Sequence, residues 1–365
     1  MPNHLRYLKC KSIFDNYLKE DIKHRILILD ALRGIAALWV VLFHFTLSRP
    51  QEQLFFKFGT TGVDFFFMIS GFVIFMSVQN IKTIQAFAIN RFCRLYPTYL
   101  AAVTFTFALI VAKYLFQNNV ESINFLQYLA NLTMFQFYFR IADLDGPYWT
   151  MIIEMLFYFI VGILFYFNLL KKTIVFGVLY ILSMIVLLLF FNSNAILSFI
   201  LSSIPLLKFL PLFLSGILFY NIWTKNGTKI SNYLLLLGCL TCQILLYKFL
   251  RSSIFINQLE YAVMISIYYF LFVLFVNHQL NFIVTKLTLF LGKISFALYL
   301  VHQYLGNEII IPFLTNTLHL NFWIAAFAIA LPIVILIAYN ITHYIEVPIG
   351  IKLKKYLNNK YNLVD

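Results

Sequence analysis

The stretch Ile26–Phe45, ILILDALRGIAALWVVLFHF, decides how the rest of the chain is read. About 20 residues at about 1.5 Å each cross a hydrocarbon core, and this run is apolar enough to do so. It nevertheless carries Asp30, Arg33 and His44. An ionisable group inside a span costs on the order of 2.5–3.5 kcal/mol on insertion scales, so such groups usually face a protein interior or a wet cavity where they have a partner or a task. Arg33 and His44 are eleven residues apart. At about 100° per residue that is three turns plus roughly 20°, so the two side chains share one face about 16 Å apart along the axis. The span therefore carries a polar stripe, with a permanent cation toward one end and a titratable base toward the other. Asp30, three residues before Arg33, is placed to pair with it and to lower the cost of burying that cation.

The composition extends this reading to the whole chain. Of 365 residues, 62% are hydrophobic, 19% aromatic and 11% charged, against about 25% charged in an average soluble protein. This is an all-α, polytopic integral membrane protein. The 42 Phe and 23 Tyr suit lipid-facing and interfacial surfaces. A formal net charge of +13 would suggest nucleic-acid binding in a soluble chain; here the cations sit between spans and serve topology beside anionic membrane lipids, so no nucleic-acid partner is expected. Four cysteines do not make a disulfide framework. Cys239 and Cys242 form a C-x-x-C in an apolar run with no second Cys or His pair nearby, which reads as packed core, and no metal site is expected.

Residues 1–25 form a basic amino-terminal segment that lacks the apolar core and small-residue cleavage site of a signal peptide. Further apolar runs lie near 60–79, 97–116, 149–168, 173–191, 203–222, 232–250, 260–277, 287–307 and 321–345, so about ten transmembrane helices are expected. The aromatic stretch 123–139, studded with Asn124, Gln127, Asn131 and Gln136, reads as a re-entrant or interfacial helix. The short run 195–204 belongs to a kinked sixth span around Pro205 and Pro211. Placing the amino terminus in the cytoplasm puts nineteen basic residues inside and six outside, so both termini are expected to be cytoplasmic. The domain reading is a segment 1–25, a transmembrane domain 26–348 and a cytoplasmic tail 349–365.

This topology sets depths. Arg33 falls in the cytoplasmic half of the first span and His44 near its outer end. Asp64 lies one turn below the outer surface in the second span. The fourth span starts outside at Tyr148 and Trp149 and holds Glu154 in its outer half, and the ninth carries His302 past the midplane. His44, Asp64, Glu154 and His302, from four spans, are thus expected at one level. On the cytoplasmic side Arg91 and Arg94 of NRFCRLYP are one helical turn apart and can point together at a phosphate, a task for which Arg is favoured over Lys.

LDALRGIAALWVVLFHF, TGVDFFFMISGFVIF, RFCRLYP, YWTMIIEMLFY and GKISFALYLVHQ, in this order, resemble the membrane-bound acyltransferase 3 family, whose members O-acylate cell-surface carbohydrates and other acceptors. The resemblance runs from about Leu29 to Pro348. It implies a ten-span core and acyl-CoA, most simply acetyl-CoA, as donor. It implies that Arg33 and His44 are the motif pair of the first span, with His44 as catalytic base or acyl carrier, that Arg91 and Arg94 are the family's Arg-x-x-Arg, and that Glu154 is its acidic residue in the fourth span. Glu154 is expected to orient His44, while Asp30, Asp64, Trp149 and His302 complete the candidate set. Where similar sequences often read Ser-Tyr in the ninth span, this one reads Ser295 and Phe296. The esterase-like extra-membrane domain of some members is absent from this sequence, which leaves room for a separate periplasmic or surface transferase as partner.

The expected function is transfer of an acyl group from acyl-CoA to a hydroxyl of a glycan or glycolipid across a bacterial inner (cytoplasmic) membrane. The competing expectations are a proton-coupled transporter or flippase of a lipid-linked sugar, in which the same His, Asp and Glu would relay protons, and a scaffold for a polysaccharide synthase. The lack of repeated charged or broken spans between the two halves weighs against the transporter.

Overall fold

The computed structural model describes residues 26–47, 49–50, 54–191, 194–224 and 230–362; the basic segment 1–25 and the loop cations Lys225 and Lys229 lie outside them. The chain is 84% helical, and no strand occurs among the described residues. The first span is α1 (Leu27–Thr46), followed by a 3₁₀ turn and α2 (Gly62–Val78), which is enclosed by its neighbours along most of its length. Seven helical segments are long and apolar enough to cross a membrane, and two shorter apolar helices, Leu210–Trp223 and Ile230–Leu245, accompany them. Against the expected count of about ten, the described residues hold seven such full-length segments, so that count is not confirmed.

The next helix begins earlier than the apolar run suggests. α3 spans Ile84–Phe116, 33 residues, and starts where the Thr83 hydroxyl accepts from the Ala86 amide. It continues through Pro97, whose missing N–H forfeits only one intrahelical bond. At about 1.5 Å per residue α3 is about 50 Å long, well beyond a hydrocarbon core of about 30 Å. Arg91 and Arg94 sit in its first three turns, so their expected common face is a helical face.

The stretch 123–139 forms only the short α4 (Phe125–Leu132) and a series of turns. Its polar residues are the reason. Asn131 donates to the carbonyls of Gln127 and Ala142 and accepts from Leu144 N, Gln127 donates to Ala142 and Asp143, and Gln136 donates to the Asp143 carboxylate at 2.8 Å. These amides tie down a loop that leads straight into α5 (Trp149–Tyr166). Beyond it, α6 (Thr173–Phe190) leaves most of its apolar side chains exposed, including Leu179, Leu182, Leu189 and Phe190, as a lipid-facing helix must. α7 (Ala195–Ser203) and α8 (Leu210–Trp223) are separated by a 3₁₀ turn at Pro205–Lys208, the break anticipated at the two prolines. α9 (Ile230–Leu245) and α10 (Gln258–Val276) follow, with Cys239 and Cys242 of α9 fully buried.

The pair that organises the interior is α1 with α11 (Lys286–His302). A Cβ on Gly34 would lie 2.5 Å from Gly292 N, and one on Gly292 would lie 2.1 Å from Asp30 O, so these two backbones meet as only glycine allows. Ten residues further along each helix stand His44 and His302, whose rings hydrogen-bond. The two helices therefore run parallel, in contact at glycines at one end and at histidines at the other. After His302 the path continues as π-helical turn from Gln303 to Ile310, and the last apolar segment runs from a π turn at Ile324–Ala330 through α12 (Leu331–Ile341) and a further π turn, Thr342–Glu346, into α13 (Val347–Lys360). The expected tail from residue 349 is therefore the continuation of a helix.

Candidate active site

Three adjoining cavities form a polar path through the bundle. The first is lined by Asp30, Arg33, Arg91, Arg94, Glu346 and Lys354, among others. The same three arginines continue into a second cavity, which adds Glu154, Tyr158 and Ser295. Val63 and Tyr299 are shared between this cavity and a third, lined by His44, Asp64, Trp149, Arg251 and Gln303. Arg33 and His44 thus stand at two levels of one path, as their shared helical face requires.

At the arginine end the charges are nearly matched, with Arg33, Arg91, Arg94 and Lys354 against Asp30, Glu154 and Glu346. Arg94 donates from Nη1 to Glu346 Oε1 in an ion pair, and Thr342 Oγ1 donates to the other oxygen of the same buried carboxylate at 3.3 Å. Arg91 makes no ion pair among the described residues. Its guanidinium lies 5.9 Å from the Phe87 ring and 5.7 Å from the Tyr158 ring, and its buried Nε has no hydrogen-bond partner. An arginine held by aromatic faces with donors unspent is prepared for an incoming anion.

The histidine end is built from hydrogen bonds rather than ion pairs. His302, fully buried, places Nδ1 2.8 Å from Tyr299 O and 3.1 Å from Leu298 O. Both partners are acceptors, so Nδ1 carries the proton and Nε2 of the neutral ring is left with its lone pair. That nitrogen is 2.8 Å from His44 Nδ1. His44 Nδ1 must then be the donor, toward His302 Nε2 and toward Val40 O at 3.1 Å. The consequence is a fixed tautomer with His44 Nε2 unprotonated and available as a base.

The neighbouring loop holds this arrangement in place. Asp145, buried ahead of α5, accepts from Gly146 N at 2.7 Å and from Tyr304 N at 3.2 Å, fastening the start of α5 to the π turn just after His302. Burial pushes the Asp145 carboxyl up to about 7. Tyr299 completes the tie with contacts to Thr150 Oγ1 at 3.1 Å and Pro147 O at 3.2 Å.

Of the four residues expected at one level, His44 and His302 hydrogen-bond, and Asp64 lines the same cavity as His44. Glu154 does not join them. It accepts from Tyr158 Oη at 2.5 Å, one turn along α5, and faces the arginine cavity. The expected hydrogen bond from His44 to Glu154 is replaced by the one to His302, because the α1–α11 contact brings the second ring closer than α5 can bring a carboxylate. Asp30 and Arg33 line one cavity, and Trp149 lines the His44 cavity with Arg251 over its ring at 4.6 Å. The sequence reading missed Glu346, Tyr158, Tyr299, Gln303 and Arg251. Tyr158 follows Glu154 by one turn, a spacing that pairs side chains on a helix and was the available signal; Glu346 and Arg251 had none short of the fold.

A helical membrane protein with a charged cavity at one end and a prepared imidazole at the other is the class this architecture defines. Residues 26–343 match the acyltransferase 3 family, described as an acyltransferase domain, and the chain belongs to that family. It is also 33% identical over 105 residues to "Protein 2 in picA locus" of Rhizobium radiobacter, a match covering 27% of this chain and 52% of the relative. The chain thus spans about half the length of that curated relative. No solved structure matches.

Proposed function

We propose that this acyltransferase moves an acyl group, acetyl in the simplest case, from cytoplasmic acyl-CoA to a hydroxyl of a cell-surface glycan or glycolipid on the far side of a bacterial inner membrane. The observation that carries the reading is the path itself, in which cavities holding three arginines adjoin one holding His44. Arg91 and Arg94, with Arg33 deeper in, bind the CoA phosphates, and the pantetheine arm extends past Ser295 and Tyr299 toward His44. Glu154 and Tyr158 hold the arginine cluster in shape from the α5 side.

The chemistry follows from the tautomer. The acceptor hydroxyl gives its proton to His44 Nε2 while its oxygen bonds to the thioester carbonyl carbon. Collapse of the tetrahedral species breaks the C–S bond, and the departing thiolate takes the proton from Nε2. His302 is the positioning residue: it fixes His44 in the basic tautomer and spreads the imidazolium charge over two rings. A carboxylate does this beside the histidine of a hydrolase triad, whereas here a neutral ring does it without adding a buried charge. Whether a separate surface transferase receives the group instead of the final glycan is decided by the same assay.

The full chain reconstituted in lipid nanodiscs, given acetyl-CoA labelled in the acetyl group, should release CoA and transfer label to a hydroxylated acceptor, and His44→Ala should do neither. Label transfer at the wild-type rate by a properly inserted His44→Ala protein would overturn the assignment.

A further inference from the structure

The mouth of the His44 cavity carries a cation that the transfer chemistry does not use. Arg251 opens a 3₁₀ turn, Arg251–Ile254, between α9 and α10, and its guanidinium carbon lies over Trp149 at 4.6 Å from the ring centroid. Among the described residues it makes no ion pair. Asp143 is near enough to attract it, but that carboxylate is already engaged by Gln136 at 2.8 Å. Lys208, in the turn before α8, is a second cation close enough for the two to repel, and it too makes no ion pair among the described residues. A guanidinium at the mouth, laid over an aromatic ring, without an ion pair among the described residues and with a second cation nearby, is a poor arrangement for stability and a good one for an anion.

A second observation points to a ligand in the same cavity. Gln303 lines it, and its buried Oε1 has no hydrogen-bond partner. The amide is held against Gly146, where a Cβ would come within 2.2 Å of that oxygen. A buried amide oxygen left unsatisfied is destabilising, and a hydroxyl donor on a bound molecule would satisfy it.

We infer that this mouth is an acceptor subsite for a hydroxylated anion: Arg251, braced by Trp149, binds a carboxylate or phosphate on the sugar, Gln303 accepts from one of its hydroxyls, and a further hydroxyl is presented to His44. This rests on the acyl-transfer reading and narrows its acceptor to acidic sugars, with the charge supplied either by a uronic-type carboxylate or by a phosphate ester.

The test measures binding of three small probes, methyl glucuronide, glucose 1-phosphate and neutral methyl glucoside, to the full chain in nanodiscs by calorimetry. Saturating CoA is present throughout so that the arginine end is occupied. At least one anionic probe should bind about tenfold or more tightly than the neutral glycoside, and which of the two does so identifies the source of the charge. The preference should vanish in Arg251→Gln, survive in part in Arg251→Lys and be unchanged in Lys286→Gln, an exposed cation that lines none of the three cavities. Equal binding of all three probes, no binding of any, or a preference that persists in Arg251→Gln would overturn the subsite. Failure of the acyl-transfer reading looks different, since the protein would then release no CoA from acetyl-CoA whatever the binding data say.

Discussion

The two ends of the path solve the cost of buried polarity in opposite ways. At the arginine end, four cations are offset by three carboxylates, and Arg91, which makes no ion pair among the described residues, is flanked by aromatic rings. At the histidine end, two rings share one hydrogen bond whose direction is dictated by backbone carbonyls. Charge balance is tolerant of geometry, because Coulomb attraction falls off slowly and an incoming phosphate can displace a carboxylate. A tautomer is not tolerant, since it depends on one donor meeting one lone pair. The arginine end is therefore suited to binding, with losses expected in KM, and the histidine end to chemistry, with losses expected in kcat.

The sharpest way to break this contrast is at the histidines. His44→Ala should lower kcat by about a thousandfold, as loss of a general base does, with KM for acyl-CoA little changed. His302→Ala should cost about a hundredfold, because the His44 Nδ1 proton loses the nearer of its two acceptors and the imidazolium loses the ring that shares its charge. His302→Gln places an amide oxygen near the former Nε2 and should recover about tenfold of that loss. A purely structural role for His302 would show neither the rescue nor an altered pH–rate profile, so steady-state kinetics across pH on all three variants checks the relay.

At the other end the effects should be smaller and confined to the donor. Arg91→Ala removes a cation that makes no ion pair among the described residues and should raise KM for acyl-CoA by about tenfold. Arg94→Lys keeps the charge but loses the planar fork, and should raise it by about threefold. Glu346→Gln is the informative opposite: it keeps an acceptor for Arg94 but removes the competing charge, so KM should fall by about twofold. A rise in KM on Glu346→Gln would mean that the carboxylate positions Arg94 for the phosphate rather than competing with it.

How much of this was legible in the sequence divides along the same line. Apolar runs and basic loops mark spans well, because hydrocarbon imposes its length on the helix, and the common face of Arg33 and His44 or of Arg91 and Arg94 follows from helical spacing alone. Partners across helices are another matter. That His44 meets His302 depends on Gly34 and Gly292 letting two backbones touch, and on both histidines lying ten residues beyond that contact. The equal offset is visible in the sequence, but nothing there says that these two helices are neighbours. Depth counted from span ends brought Glu154 to the level of His44 and said nothing of which way α5 turns it. The polar stretch 123–139 was recognisable as something other than a span, whereas its amides' work in tying down the loop before α5 was visible only in the fold.

Glu154 supplies the smallest effect and the finest discrimination. If a carboxylate oriented His44, Glu154→Gln would remove the charge that favours the protonated ring and shift the lower limb of the pH–rate profile to more acid values. The geometry argues for a different outcome. Glu154 accepts from Tyr158, whose ring lies against Arg91, so the substitution should alter the field around the arginines and leave the imidazole pair alone. The profile should keep its lower limb, kcat should stay within about a factor of three, and the change should appear as a modest shift in KM for acyl-CoA. The double variant Glu154→Gln with Arg91→Ala should then fall short of additive, since the two residues share Tyr158, while Glu154→Gln with His302→Ala should be additive because Glu154 faces the arginine cavity and His302 is tied to His44. The reverse pattern, coupling to His302 and independence from Arg91, would mean that the two ends of the path are one unit and that the division between binding and chemistry does not hold.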